Sequence, residues 1–461
     1  MNLRPGIDTH DPDFHLIVKV NVPFDEREKM VSCLKALAAV CARKLDPTRC
    51  FGIMHDHEGT AVDQKLVVRD LALNLLVGFG LRFFLGDLGS RPPEEPIPNF
   101  PPGGTFQPRM GTRFGLNNCR VPLYLRTMNA TGDRDSLAKR QAAALGRELS
   151  PAEIDQVYKG WLTQCESDLI LWFEADNLYL TVDFWDAVRK EVVVPFGLEV
   201  TGVQQGFQRG DGRDHTGYKD GVDNLQSRMK TDPQYYRSKV YLPHPAPPYP
   251  GEPDWSRDGP ELDGGTYLVY RKYIEHLERW RADAFEVCDS RGRKYHGDEA
   301  RAHAIGRDRE TGRVISRMSG KLLDAEPDGD EVNLAYNESH ILKARGGATA
   351  PFSAPFPPLS GTERNVFNTQ DIRLRRRGVN YCEIDPRTGG IVYGLHFVSF
   401  QNNIQQTGFE FINNIWLMNP DFRMSKDGLF TPESGIVEPV EGCYYFIPPE
   451  HREFPGEVFF D

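Results

Sequence analysis

A run of β-branched residues with alternating polarity, followed at once by apolar residues at helical spacing, opens this chain and recurs along it. That succession limits the fold to strands and helices packed in layers. His15 to Val22 (HLIVKVNV) reads as the first strand and Asp25 to Lys44 as the first helix. Lys65 to Leu76 resembles a strand leading into Gly78 to Phe84. Asp168 to Glu174 reads as another strand, and Leu180, Phe184, Ala187 and Val188 place a helix over Leu178 to Val193. In the second half a strand is expected at Gly265 to Arg271 and a helix at Tyr273 to Ala284. Ile391 to Phe400 follows as strand, Phe409 to Leu417 as helix and Cys443 to Ile447 as a closing strand. Arg91 to Pro108 and the proline cluster HPAPPYPGEP (244 to 253) read as loops. Few segments alternate as regularly as the βαβ units of a parallel sheet, so the expected class is α+β with antiparallel sheets.

At 461 residues the chain exceeds what one hydrophobic core usually serves, and two units are expected, 1–212 and 213–461. Hydrophobic residues at 39% and charged residues at 26% exclude a disordered or fibrous chain. No stretch reaches the ~18 uninterrupted apolar residues of a membrane helix. The richest, Leu71 to Leu85, is broken by Asn74, glycines and Arg82. The start, MNLRPGIDTHDPDF, has neither an apolar core segment nor twin arginines, so a cytoplasmic address is expected. Eight cysteines lie scattered, without the close pairs of zinc or redox motifs. The net charge of −11 disfavours nucleic acid as a partner.

Several segments carry more specific information. The string GFQRGDGRDHTGYKDGVDN (206 to 224) contains a G-x-x-D-G element, Gly217, Asp220 and Gly221. By itself Asp-Gly is a common hairpin turn. It is followed, in order, by DGGTYLVYRKYIEHLERW (263 to 280), IGRDRETG (305 to 312) and SHILKARG (339 to 346). RRGVNY (376 to 381), GLHFVSFQNN (394 to 403) and GCYYFIPP (442 to 449) complete the series. Together these segments resemble the signature of dye-decolourising haem peroxidases, specifically over roughly residues 200 to 450. The chain departs from the family after His340, where Leu342, Lys343 and Ala344 replace its usual continuation, and in its long loops.

The resemblance implies two ferredoxin-like halves with antiparallel sheets and flanking helices, a dimeric α+β barrel-like fold, and haem b held mainly by the second half. It implies His340 as the iron ligand and Asp427, in SKDGLF, as its acidic partner. An imidazole donates electron density best when its other nitrogen donates to a carboxylate. Asp220 and Arg376 would serve the peroxide side, one moving a proton and the other stabilising the departing charge. Arg375 and Arg377 remain alternatives for that arginine. Leu395 and Phe397 would wall the pocket beside Arg376 and keep it dry. The implied reaction reduces hydrogen peroxide and oxidises a dye, phenol or other one-electron donor through a compound I intermediate. An aspartate with an ordinary pKa near ~3.9 implies an acid-shifted optimum. Rival readings are a haem-binding homologue without turnover and a porphyrin-oxidising or haem-iron-releasing enzyme. A homo-oligomer is a family-level expectation, and no membrane partner is expected. The run His55-Asp56-His57-Glu58 reads as a solvated loop, and Trp416, Tyr381 and Tyr393 as packing aromatics.

Overall fold

The computed structural model describes residues 7–8, 12–44, 73–86, 113–116, 122, 125–219, 225–242, 260–288, 292–315, 339–345, 372–405, 407–418, 427–432, 434–450 and 453–460. Eight long strands dominate them. The first four are β1 (Phe14–Asn21), β2 (Leu73–Gly80), β3 (Leu169–Ala175) and β4 (Glu199–Phe207). The second four are β5 (Thr266–Glu275), β6 (Val379–Ile384), β7 (Ile391–Gln401) and β8 (Val437–Ile447). In the first half the spatial order is β2-β3-β1-β4, and in the second it is β6-β7-β5-β8. Every pairing is antiparallel. The halves join at both seams, β4 to β6 through Phe207 and Asn380, and β2 to β8 through Gly80 with Tyr445 and Phe79 with Phe446. With β5 paired to β7, the ring closes into an antiparallel barrel.

Strand alternation sorts the side chains into two layers. Ile17, Leu76, Ile170, Trp172, Leu268, Tyr270, Val398, Phe400, Cys443 and Tyr445 form one cluster from both halves and fill the barrel. Their neighbours Leu16, Val18, Val20, Phe173, Val269 and Tyr444 face outward into a second cluster. Helices cover that outer layer. In α1 (Arg27–Lys44), Met30, Cys33, Leu34, Leu37 and Val40 make the buried stripe at helical spacing. The helix α4 (Leu178–Val188) buries Phe184 and Val188. Two more helices, α2 (Asp133–Leu145) and α3 (Pro151–Cys165), precede β3; α3 starts in a capping box between Ser150 and Glu153.

Several expectations are corrected. The helix expected from Tyr273 is confined to Leu277–Arg281, because Tyr273 is still sheet, opposite Leu395 on β7 and Pro439 on β8. Gly78 belongs to a strand rather than following one, and a Cβ there would lie 2.7 Å from the side chain of Ile170. Beyond Val188 the helix continues as a π turn, Arg189–Val193, and Ile412–Leu417 widens in the same way. The proline cluster and the His55 to Glu58 run lie outside the described residues. No helix among the described residues is long and apolar enough to cross a membrane.

The barrel also encloses charge. Arg377 from the second half forks onto Glu174 of the first, at 2.8 and 3.1 Å, with neither side chain more than 1% exposed. Glu166, beside the barrel, accepts from the Cys443 thiol at 3.3 Å, and burial pushes its carboxyl up to about 7 against that bond and the nearby Lys19. An acid whose folded pKa is raised favours the folded state while protonated. That contribution is complete below the ordinary glutamate value and is lost as pH rises through about 7. Between pH 5 and 7.5 the wild type should therefore lose roughly 2 kcal/mol of unfolding free energy more than Glu166→Gln, measured by urea unfolding. Parallel pH profiles for the two proteins would refute this assignment.

Candidate active site

The segments singled out in the sequence converge on one apolar cluster. Tyr218 precedes Asp220, Trp280 ends the segment after β5, Ile305 opens the I-G-R loop, and Leu429 follows Asp427; all four belong to it. Tyr273 also belongs, and Phe397 and Phe430 pack against it.

His340 is the first residue of the short helix α6 (His340–Arg345). Its Nδ1 lies 2.9 Å from Asp427 Oδ2. The Asp427 side chain is fully buried, and its other oxygen accepts from the backbone N–H groups of Leu429 and Phe430 at 2.8 and 2.9 Å. A carboxylate held this way accepts from the Nδ1 side of the imidazole, which leaves Nε2 as the ring nitrogen turned away from it. The ring stacks on Phe430 at 4.9 Å between centroids and stays about a quarter exposed (24%). This donor set fits a ligand to haem iron: an imidazole with a buried carboxylate behind it and a second ring nitrogen on the far side.

The arginine run resolves by parity. Arg375 and Arg376 form a two-residue strand on β7, opposite Phe400 and Ser399, and Arg377 donates its backbone N–H to Val398. Arg375 shares the inner face with Phe400 and donates to the Ile7 carbonyl at 3.3 Å. Arg377 is held inside by Glu174 and lies over the Trp172 ring. Arg376 takes the opposite face, the one that carries Leu395, Phe397 and Ser399 on β7. All three of those pocket candidates, Arg376, Leu395 and Phe397, are half-buried. Asp220 lies outside the described residues.

Some contributors were not singled out in the sequence. Phe430 supports the His340 ring, and only its position three residues after Asp427 hints at this. Arg271, opposite Phe397, is buried on Asp133 at 2.6 Å, while its Nε and Nη1 find no hydrogen-bond partner among the described residues. Tyr381 donates to the Tyr273 carbonyl and Trp416 packs edge-on against Phe411, while Tyr393 sits edge-on to His215. Gly306 has a positive φ of 92°, and a Cβ there would lie 2.6 Å from Ile341 Cγ1 and 2.9 Å from the Ser339 side chain. The loop thus presses directly on the start of α6. Gly306→Ala should cost about 1–3 kcal/mol in equilibrium urea unfolding; an unchanged midpoint would show that α6 is not seated by this contact.

Comparison with known proteins agrees with this arrangement. The model of the Dyp-type peroxidase C-terminal region matches residues 211–452. A multifunctional dye peroxidase, DyP2, from Amycolatopsis sp. (strain ATCC 39116 / 75iv2) is 25% identical over 270 residues, 52% of this chain and 54% of that protein. The chain therefore matches about half the length of that curated relative. The crystal structure of a DyP-type peroxidase from Cellulomonas bogoriensis has a TM-score of 0.58 at 20% identity, covering 100% of this chain and 97% of its own. Ferric DtpA from Streptomyces lividans gives 0.61 at 17%, covering 100% and 96%. At those identities the likeness speaks for the fold, while the matched region spans every motif from the G-x-x-D-G loop to the closing strand; the chain belongs to the Dyp-type peroxidase family.

Proposed function

We propose that this protein is a haem peroxidase that reduces hydrogen peroxide and oxidises a dye, phenol or other one-electron donor. The observation that carries the reading is the His340–Asp427 pair, set against the apolar cluster on which the motifs meet. Haem b is the cofactor that suits it, and when bound it supplies the electron transfers of peroxide reduction and donor oxidation. His340 would hold the iron through Nε2, and Asp427 would keep the Nδ1 proton in place, which fixes the tautomer and the ring orientation. Arg376 supplies a fixed positive charge on the pocket face, where it would stabilise charge that develops on the outer peroxide oxygen. Asp220 would carry a proton from the inner to the outer oxygen, and Leu395 and Phe397 would exclude water.

The two halves are best read as ferredoxin-like, since each arranges its four strands in the order second, third, first, fourth. A division at 1–212 and 213–461 falls between the end of β4 at Phe207 and the start of β5 at Thr266. A reducing, cytoplasmic setting suits the six described cysteines, all free thiols.

Protein supplied with haem should show a Soret band that His340→Ala loses or displaces. Wild type that takes up no haem would overturn the reading. Arg376→Ala should keep the cofactor yet slow the response of the Soret band to peroxide, in stopped flow, by on the order of 10²–10³. An unchanged rate would remove Arg376 from this role.

A further inference from the structure

A cavity of about 530 Å³ opens beside the site just described, and its lining contains five arginines: Arg209, Arg213, Arg281, Arg301 and Arg309. They arrive from three places, the turn after β4, the helix Leu277–Arg281, and the helix α5 (Gly297–Ile305) with its following loop. Three carboxylates share the lining, so two positive charges remain in excess, in a chain whose net charge is −11. A concave surface with one dominant sign of charge focuses the field and concentrates the opposite ion.

The arginines are positioned but not neutralised. Arg209 meets Asp211 at 2.7 Å and Arg301 meets Asp298 at 3.0 Å. Both carboxylates are solvated, Asp298 with 85% of its side chain exposed, so these ion pairs are weak and open to competition. Arg213 is braced by the Gly217 and Glu310 carbonyls. Arg281 reaches the His215 carbonyl only at 3.4 Å, and Arg309 lies across Gly217; both are exposed. Backbone carbonyls orient a guanidinium without cancelling its charge. His215 forms part of the buried floor, and its imidazole is held below the usual range by burial and, against a hydrogen bond to the Tyr381 carbonyl, by the charges of Arg209 and Arg281.

Guanidinium forks match the paired oxygens of phosphate and carboxylate, and a cavity of this size holds a small molecule rather than a chain. We propose that this cavity binds a small multivalent oxyanion of the phosphate type. The proposal uses none of His340, Asp427, Arg376 or Asp220, and it stands independently of the haem reading.

The test is calorimetric titration of inorganic pyrophosphate into the full chain at low salt, haem-loaded and haem-free. Saturable one-to-one binding is expected in both forms. Arg281→Gln with Arg309→Gln, two exposed positions, should weaken it at least tenfold with the thermal midpoint unchanged, and Arg189→Gln on a remote helix should leave it intact. No saturable binding, or equal binding by the double variant, overturns the proposal. So does binding that haem abolishes, because the arginines would then serve the carboxylates of the cofactor. Pyrophosphate binding by protein that takes up no haem would sink the haem reading and leave this site standing.

Discussion

Closure of the barrel is the constraint on which everything else in this chain rests. Each half is a four-stranded antiparallel sheet with two open edges, and an open edge exposes unpaired N–H and C=O groups. The halves satisfy one another, β4 against β6 and β2 against β8, although each seam is short. Side chains inside reinforce them. The Arg377–Glu174 fork crosses between the halves, and Ser167 and Tyr445 share a hydrogen bond of 2.8 Å near the other seam. Buried pairs of this kind stabilise modestly as a pair, yet removing one partner strands the other charge in a dry interior.

Because the interior cluster is filled from β1, β2, β3, β5, β7 and β8, the outer faces of β5 and β7 need not close against another sheet. They instead support the candidate site. Leu395, Phe397 and Arg376 stand on one face by strand alternation alone, while Arg375 and Arg377 turn inward. His340 comes from elsewhere, seated by the contact of Gly306 on α6 and oriented by Asp427, whose own position is fixed by two backbone N–H groups. The ligand candidate is therefore held by backbone geometry at two removes, a rigid support for a group whose orientation matters.

The basic cavity lies on the same side of the molecule as the loop that leads to Asp220, since Gly217 and Tyr218 line it. A filled cavity would brace that loop through Arg213, which already donates to the Gly217 carbonyl at 2.8 Å.

Much was legible in the sequence. Alternation located β1, β3, β5 and β7, because a strand between two layers must present an apolar residue on each face or on alternate faces. The ordered motifs marked His340, Arg376, Leu395 and Phe397 as candidates, and the resemblance implied Asp427 by its position. Other elements were silent for identifiable reasons. β4 carries glycines and glutamines and is largely exposed, and β6 owes its strand to pairing with β7 rather than to its composition. The helix expected at Tyr273 gave way because cross-strand pairing on both sides outweighed local spacing. The sequence by itself determined the strand-forming runs, the family and the residue types of the site, since these depend on local pattern and order. Only the tertiary structure decided which arginine of three turns outward, that Asp427 meets His340, and that five arginines from separate segments share one cavity. Those are contacts between residues far apart in the chain, set by barrel closure and by the parity of its strands.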